Sequence, residues 1–355
     1  MKVVAVECRR ADLKISEPYT IAYESYDTAP NFFLRLDTDA GMSGYGCAAP
    51  DAHVTDETPE DVGKAFEGPV TDALLGADPL CRMRLLSPLR EQIGQLPATL
   101  AAVDMALLDL LGRAAGLPVY KLLGGFRDCM ETSVTIGILS ERETVEKAVT
   151  LAAAGFRALK LKGGRHVDED VARVIKVREA VGPAIALRFD ANQGYTLEEA
   201  SRFLERASSA NLEIFEQPTP GGSPALMGSL HGGDTAVMAD ESLLTRADAL
   251  YLAGEEMVDL INVKIMKVGG IDEALRITAV GAAAGVGTMV GCMDEAALGI
   301  AAGLHYALAR PGVAYADLDG HLDLVDDPSA GCVILRDGVL YPADDAGFGC
   351  ALRWP

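Results

Sequence analysis

The sequence predicts an α/β protein built on a (β/α) barrel, a modified TIM barrel, with an N-terminal α+β capping domain that the C-terminal segment completes. Three observations carry that prediction. Apolar strand-like runs end on a polar residue at Lys162, Asp190, Glu216, Asp240 and Lys264, at intervals of 28, 26, 24 and 24 residues, about one strand–loop–helix–loop unit. Eight such runs alternate with alanine-rich helical stretches from about Glu131 onward. The 355 residues exceed what a barrel alone needs and leave room for a second, smaller domain.

The capping domain is expected over residues 1–125. Val3–Glu7 and Phe32–Asp37 read as strands, with turn chemistry at Asp39–Gly41. Ser16–Pro30 and Ala48–Thr58 show no period and read as loops. Thr99–Ala115 repeats apolar residues at helical spacing, and Gly116-Leu-Pro118 ends it. The barrel is expected over 126–325, with strands at Ser133–Ile138, Ala158–Lys162, Ala186–Asp190, Glu213–Glu216, Ala236–Asp240, Leu260–Lys264, Thr288–Cys292 and Ala314–Leu318. Residues 326–355 form the returning segment, with a hairpin at Cys332–Pro342 around Arg336-Asp-Gly338 expected to rejoin the capping domain.

A net charge of −21 argues against nucleic acid or an anionic membrane as a partner and favours cationic ligands. Seven scattered cysteines without a CxxC pair suit reduced thiols in a cytoplasmic protein rather than a disulfide framework. The opening MKVVAVECRR reaches charge too soon for a signal peptide, and Val280–Val290 is too short and glycine-broken to span a bilayer. A homo-oligomer is expected only because barrels of this kind often assemble symmetrically.

A parallel barrel gathers the C-terminal ends of its strands on one face. Asp190, Glu216 and Asp240 would therefore converge there, and three buried carboxylates demand a cation. Oxygen-only ligation suits Mg²⁺, or Mn²⁺ in its place, better than zinc. Lys160 and Lys162 lie two apart and share one side of their strand. Lys264 falls four strands further on, across the ring. A lysine crowded by other cations and desolvated is expected to have a lowered pKa, as a base requires. Two bases flanking a metal site suit removal of a proton next to a carboxylate from one face and its return on the other. As counter-ions only, the two lysines would leave their opposed placement unexplained.

These residues, with Asp104–Gly125 (DMALLDLLGRAAGLPVYKLLGG), the Glu241 after the last carboxylate and Lys264 within NVKIMKVGG, resemble the enolase superfamily, in its muconate-lactonising subgroup. The resemblance implies a Mg²⁺ site on Asp190, Glu216 and Asp240. It implies Lys162 and Lys264 as acid/base catalysts, with Lys160 assisting near the substrate carboxylate. Asp317-Leu-Asp319 resembles the Asp-x-Asp motif of the dipeptide epimerases of that subgroup, where both carboxylates hold the substrate ammonium. Thr135 in SVTIGI would contact the substrate backbone. Glutamate-directed members place an arginine in the first capping loop, where PYTIAYES (Pro18–Ser25) puts Glu24. With Asp51 and Asp294 also facing the cap, a dipeptide with a cationic or neutral second residue is the expected substrate. Muconate cycloisomerisation, o-succinylbenzoate synthesis and N-acylamino acid racemisation would use the same core, but those substrates offer no ammonium to Asp317 and Asp319. A Schiff-base barrel would leave the carboxylates without purpose.

Overall fold

A computed structural model describes residues 1–22, 25–343, 345–350 and 352–354. The chain opens on an antiparallel meander of β1 (Val3–Thr20), β2 (Ser25–Thr38) and β3 (Ser43–Ala48). Its inner face packs on the helix Pro97–Ala115, whose residues are almost all buried. That helix stops at Gly116 in the left-handed conformation, φ 67°, which glycine adopts without a steric penalty. A short β4 (Met130–Glu131) then leads into the barrel.

All eight expected barrel strands form: β5 (Ser133–Ile136), β6 (Ala158–Lys162), β7 (Ala186–Asp190), β8 (Ile214–Glu216), β9 (Ala236–Ala239), β10 (Leu260–Lys264), β11 (Gly287–Gly291) and β12 (Val313–Ala316). They are hydrogen-bonded in that order, each parallel to the next. Several intervening helices begin on capping boxes, Ser140 with Glu143, Thr196 with Glu199 and Thr245 with Asp248, which satisfy the first free amides and fix where each helix starts.

The seam between β5 and β12 is closed differently. Leu318 N–H donates to Thr132 Oγ1 at 2.8 Å, Thr135 N–H to an Asp319 carboxylate oxygen at 2.6 Å, and Ser133 Oγ–H to Asp317 Oδ1 at 2.6 Å. Side chains thus do there what backbone ladders do elsewhere in the ring. Inside the barrel, Ile214, Met238, Leu260 and Met289 fill the floor. Strand residues alternate between faces, so three of these floor residues have a polar one two places on: Ile214 lies below Glu216, Met238 below Asp240, Leu260 below Asn262.

Four expectations need correcting. Ser16–Pro30 is largely strand, not loop. β1 leaves its register with β2 between Lys14 and Tyr19, and Ile15 bridges Leu324 instead, with Ser16 N–H on the Asp323 carbonyl and Val325 N–H on Lys14. The switch of partners, with Pro18 inside it, hides the period. The Cys332–Pro342 hairpin forms as β13 (Val333–Arg336) and β14 (Val339–Pro342) but pairs with β4, not with the capping sheet. It is the tail beyond it that meets the cap, where Phe348 N–H reaches Asp109 and Trp354 lies against Tyr45. Finally, Cys332 and Cys350 are joined as a disulfide, where seven reduced thiols were expected. They lie 18 residues apart in sequence, and only the tail's return brings them together. The second expected loop, Ala48–Thr58, holds one helical turn, Ala52–Thr55.

Candidate active site

The C-terminal face of the barrel gathers the residues expected there. Asp190 pairs in register with Lys162 on one side and Glu216 on the other, and Asp240 stands just past β9. One oxygen from each of the three carboxylates lies within 4.8 Å of the others, and all three residues are buried. The donor set is oxygen only and fits Mg²⁺.

Four lysines surround the triad. Lys162 Nζ lies 2.7 Å from Asp190, and Lys264 Nζ 2.7 Å from Asp240 across the ring. Lys160 Nζ sits among three acids, 2.7 Å from Glu216, 2.8 Å from Asp317 and 3.2 Å from Asp190. Sequence reasoning missed Lys267, fully buried on Asp240 at 2.6 Å and on the Asn262 carbonyl at 3.0 Å. Its place three residues after Lys264, one helical turn on, was the available signal. Asn262 donates to Glu216 at 2.7 Å. The loop after Lys162 is held by Gly164, φ +97°, where a Cβ would collide with the Ala191 carbonyl. Lys162 is thereby tied to the loop that follows Asp190.

Charge coupling sets the protonation states. Burial alone would raise Asp240, but Lys264 and Lys267 hold it below the ordinary carboxylate range; Asp190 is lowered against burial by Lys162 and Lys160. Glu216 is pushed up to about 7 by burial and by Asp190, and Glu241 to about 8 by burial and by Asp240. Burial lowers the Lys264 ammonium, yet Asp240 outweighs it and the net shift is upward. Lys160 is likewise raised, its burial overcome by Asp317 and Glu216. For Lys160 and Lys264 the expected lowering by neighbouring cations is therefore overturned, since the uncompensated carboxylates are the nearer charges.

A cavity opens above this face. Thr135, Asp317, Asp319, Asp51 and Asp294 all line it, as do Lys160, Lys162, Asp240 and Lys264. Asp317 receives Ser133 Oγ–H at 2.6 Å and the Lys160 ammonium at 2.8 Å. Asp294 takes the Tyr19 hydroxyl at 2.8 Å; burial and Asp51 push it up to about 6 even against that bond. Asp51 is partly committed as a helix cap, accepting from His53 and Val54 N–H, with Tyr26 Oη at 3.5 Å. Glu24 lies outside the described residues. Alternate residues Ile15, Glu17 and Tyr19 of β1, and Ile21 just past its end, also line the cavity. Sequence reasoning missed all four, because their period of two was mistaken for loop.

Residues 3–124 match the mandelate racemase / muconate lactonizing enzyme N-terminal domain, and residues 143–355 the enolase C-terminal domain-like family. The chain belongs to the enolase superfamily. Within that superfamily it is 38% identical over 351 residues to the L-Lys-D/L-Arg epimerase of Desulforapulum autotrophicum, covering 98% of this chain and 99% of that one. The dipeptide epimerase of Methylococcus capsulatus, solved with Mg and L-Arg-D-Lys, superposes with a TM-score of 0.94 at 37% identity over 99% of both chains. That of Enterococcus faecalis, solved with Mg and L-Leu-L-Tyr, superposes at 0.96 with 35% identity over 99% of both. These enolase-superfamily relatives are isomerases. No helix among the described residues is long and apolar enough to cross a membrane.

Proposed function

We propose that this protein is a Mg²⁺-dependent dipeptide epimerase, acting at the α-carbon of the second residue and preferring cationic or neutral side chains there to acidic ones. The observation that carries the reading is the pair Lys162 and Lys264 on opposed strands of one ring, either side of the carboxylate triad, with Asp317 and Asp319 at its edge. Asp190, Glu216 and Asp240 would hold the metal, which when bound supplies positive charge against the substrate carboxylate and makes its α-proton more acidic. Lys162 and Lys264 then remove that proton from one face and return one to the other. Thr135 and Lys160 position the substrate. Neutralising the triad also frees Lys264 from the Asp240 carboxylate that raises it.

Side-chain preference follows from the mouth. Glu17, Asp51, Asp294 and Asp323 line it against a lysine, Lys147, which is paired to Glu17 at 2.6 Å. The excess of acid favours a cation, as the names of two of the relatives above suggest. Glu24 belongs to the same reading. We further take the protein to be cytoplasmic and homo-oligomeric, with domains at 1–125, 126–325 and 326–355. The broad function is tested by proton NMR in D₂O with Mg²⁺ and L,L-dipeptides bearing cationic, apolar or acidic second residues. Deuterium at the second α-carbon together with the epimer, fastest for cationic members, is the expected result. Exchange only in amine-blocked amino acids would replace it with an N-acylamino acid racemase.

A further inference from the structure

Lys162 and Lys264 are held at their strand ends in different ways. Lys264 is in register with Gly291 and runs straight into a helical turn, Ile265–Val268, so the main chain beyond it is already fixed. Lys162 is followed by Gly163 and Gly164, the least restricted backbone available, and the next helix begins only at Val167. The main chain after Lys162 therefore needs holding from outside.

A buried ion pair on that helix, Val167–Val181, holds it. Arg173 Nη2 donates to the Lys162 carbonyl at 2.8 Å and to Asp170 Oδ1. Asp170 Oδ2 in turn takes the Gly164 N–H at 2.9 Å. Asp170 and Arg173 are 3% and 4% exposed. The pair thus grips the chain on both sides of Gly163, where a Cβ would run into the Phe189 ring and the Asp170 carboxylate. Tyr195 Oη–H also donates to Asp170 Oδ2, and its ring lies against Phe189, Phe203 and Phe215. The carboxylate is therefore fixed from the loop after Asp190 as well.

As a source of stability the pair is a poor choice. It is desolvated, and Arg173 Nη1 is buried without a hydrogen-bond partner; an apolar pair of similar volume is often as good or better. What an apolar pair cannot do is hold a carbonyl and an amide of one loop at the same time. Neither residue lines the cavity, so the hold acts on Lys162 through its main chain.

We propose that Arg173 and Asp170 are positioning residues for Lys162 alone, aiming its side chain at the site by clamping its carbonyl and the Gly164 amide while Lys264 is left untouched. The proposal rests on the two-lysine reading above, and its test reads each lysine separately.

Arg173→Met is placed in the Lys264→Ala and Lys162→Ala backgrounds, full-length and Mg²⁺-loaded. Exchange of the α-proton of L-Ala-L-Lys and L-Ala-D-Lys with D₂O is followed by NMR. Exchange through Lys162, which survives in Lys264→Ala, is expected to slow about ten- to a hundredfold, and exchange through Lys264 to stay within about twofold. A second readout needs no turnover: the rate of reductive methylation at each lysine of the Mg²⁺-loaded protein, resolved by peptide mass spectrometry. Arg173→Met is expected to speed modification of Lys162 severalfold while Lys264 keeps its rate. Tyr195→Phe removes one donor from Asp170 and is expected to move both readouts the same way more mildly; it serves if Arg173→Met does not fold. Equal slowing in both backgrounds, equal acceleration at both lysines, or no change at Lys162 in either variant overturns the proposal. Absence of exchange of any dipeptide by the unmodified protein overturns the two-lysine reading instead, and the methylation rates still judge Arg173.

Discussion

The barrel face and the mouth above it are built by opposite rules. On the face, each charged group has partners within about hydrogen-bond distance, the residues are buried, and their positions follow from strand ends in register. At the mouth, the lining comes from a capping strand that changes partners midway, a single helical turn and the segment beyond the last barrel strand. Under the proposed function, chemistry is placed on the part that cannot move without breaking the ring, and side-chain choice on the part that can be re-threaded without touching it.

The sharpest way to break this comparison is to remove one base. Lys162→Ala and Lys264→Ala are each expected to slow epimerisation by about 10²–10⁴-fold. Each variant should still exchange the α-proton of one epimer with D₂O, and the two variants should act on opposite epimers. Exchange of both epimers by either variant, seen by NMR, would mean that a single base serves both faces. Substitution at the mouth should act more gently and selectively. Asp294→Asn is expected to lower kcat/KM for lysine- and arginine-ended dipeptides by about tenfold while leaving alanine-ended ones within about twofold. Because Asp294 is pushed up to about 6 by burial and Asp51, its negative charge is lost as pH falls through that value. In the unsubstituted protein the cationic-over-neutral preference should therefore fade below about pH 6, and the variant should show no such dependence.

The smallest effect concerns stability. Glu295, buried with one carboxylate oxygen unpartnered, is pushed up to about 8 by burial. A carboxyl raised above its unfolded value contributes stability that is full below the unfolded pKa and is lost as pH rises through the folded one. Glu295→Gln should accordingly raise Tm by roughly 3–5 °C at pH 9 and by less at pH 6, measured by calorimetry on metal-free protein.

What the sequence made legible follows the same divide. Barrel strands announce themselves because a buried parallel strand reads as an apolar run and its functional residue interrupts that run at the end; Asp190, Glu216, Asp240, Lys162 and Lys264 were found this way. Lys267 escaped because it lies one helical turn past a strand rather than at its end. Ile15, Glu17, Tyr19 and Ile21 escaped because β1 answers to β2 up to Lys14 and to residues 323–325 beyond it, so no single alternation spans it. The Cys332–Cys350 link depended on a chain return that local sequence does not encode. Lysine protonation was misjudged for a related reason: Lys160 and Lys264 were weighed against neighbouring cations, whereas the nearest charges are carboxylates from other strands.

The side-chain closure between β5 and β12 has a consequence for how such a protein can change. A ladder of main-chain bonds tolerates almost any residue, so seven of the eight joints in the ring are indifferent to drift in composition. The eighth is stitched by Thr132, Ser133, Asp317 and Asp319, and Asp319 is also a wall of the cavity. Under the proposed function, a lineage that exchanges this acid for a different reader of the substrate's first residue must refit a clasp of its own scaffold in the same move. On that reading the joint acts as a latch on diversification: the far mouth is free to explore new second residues, while the amino end of the ligand is bound up with keeping the ring shut.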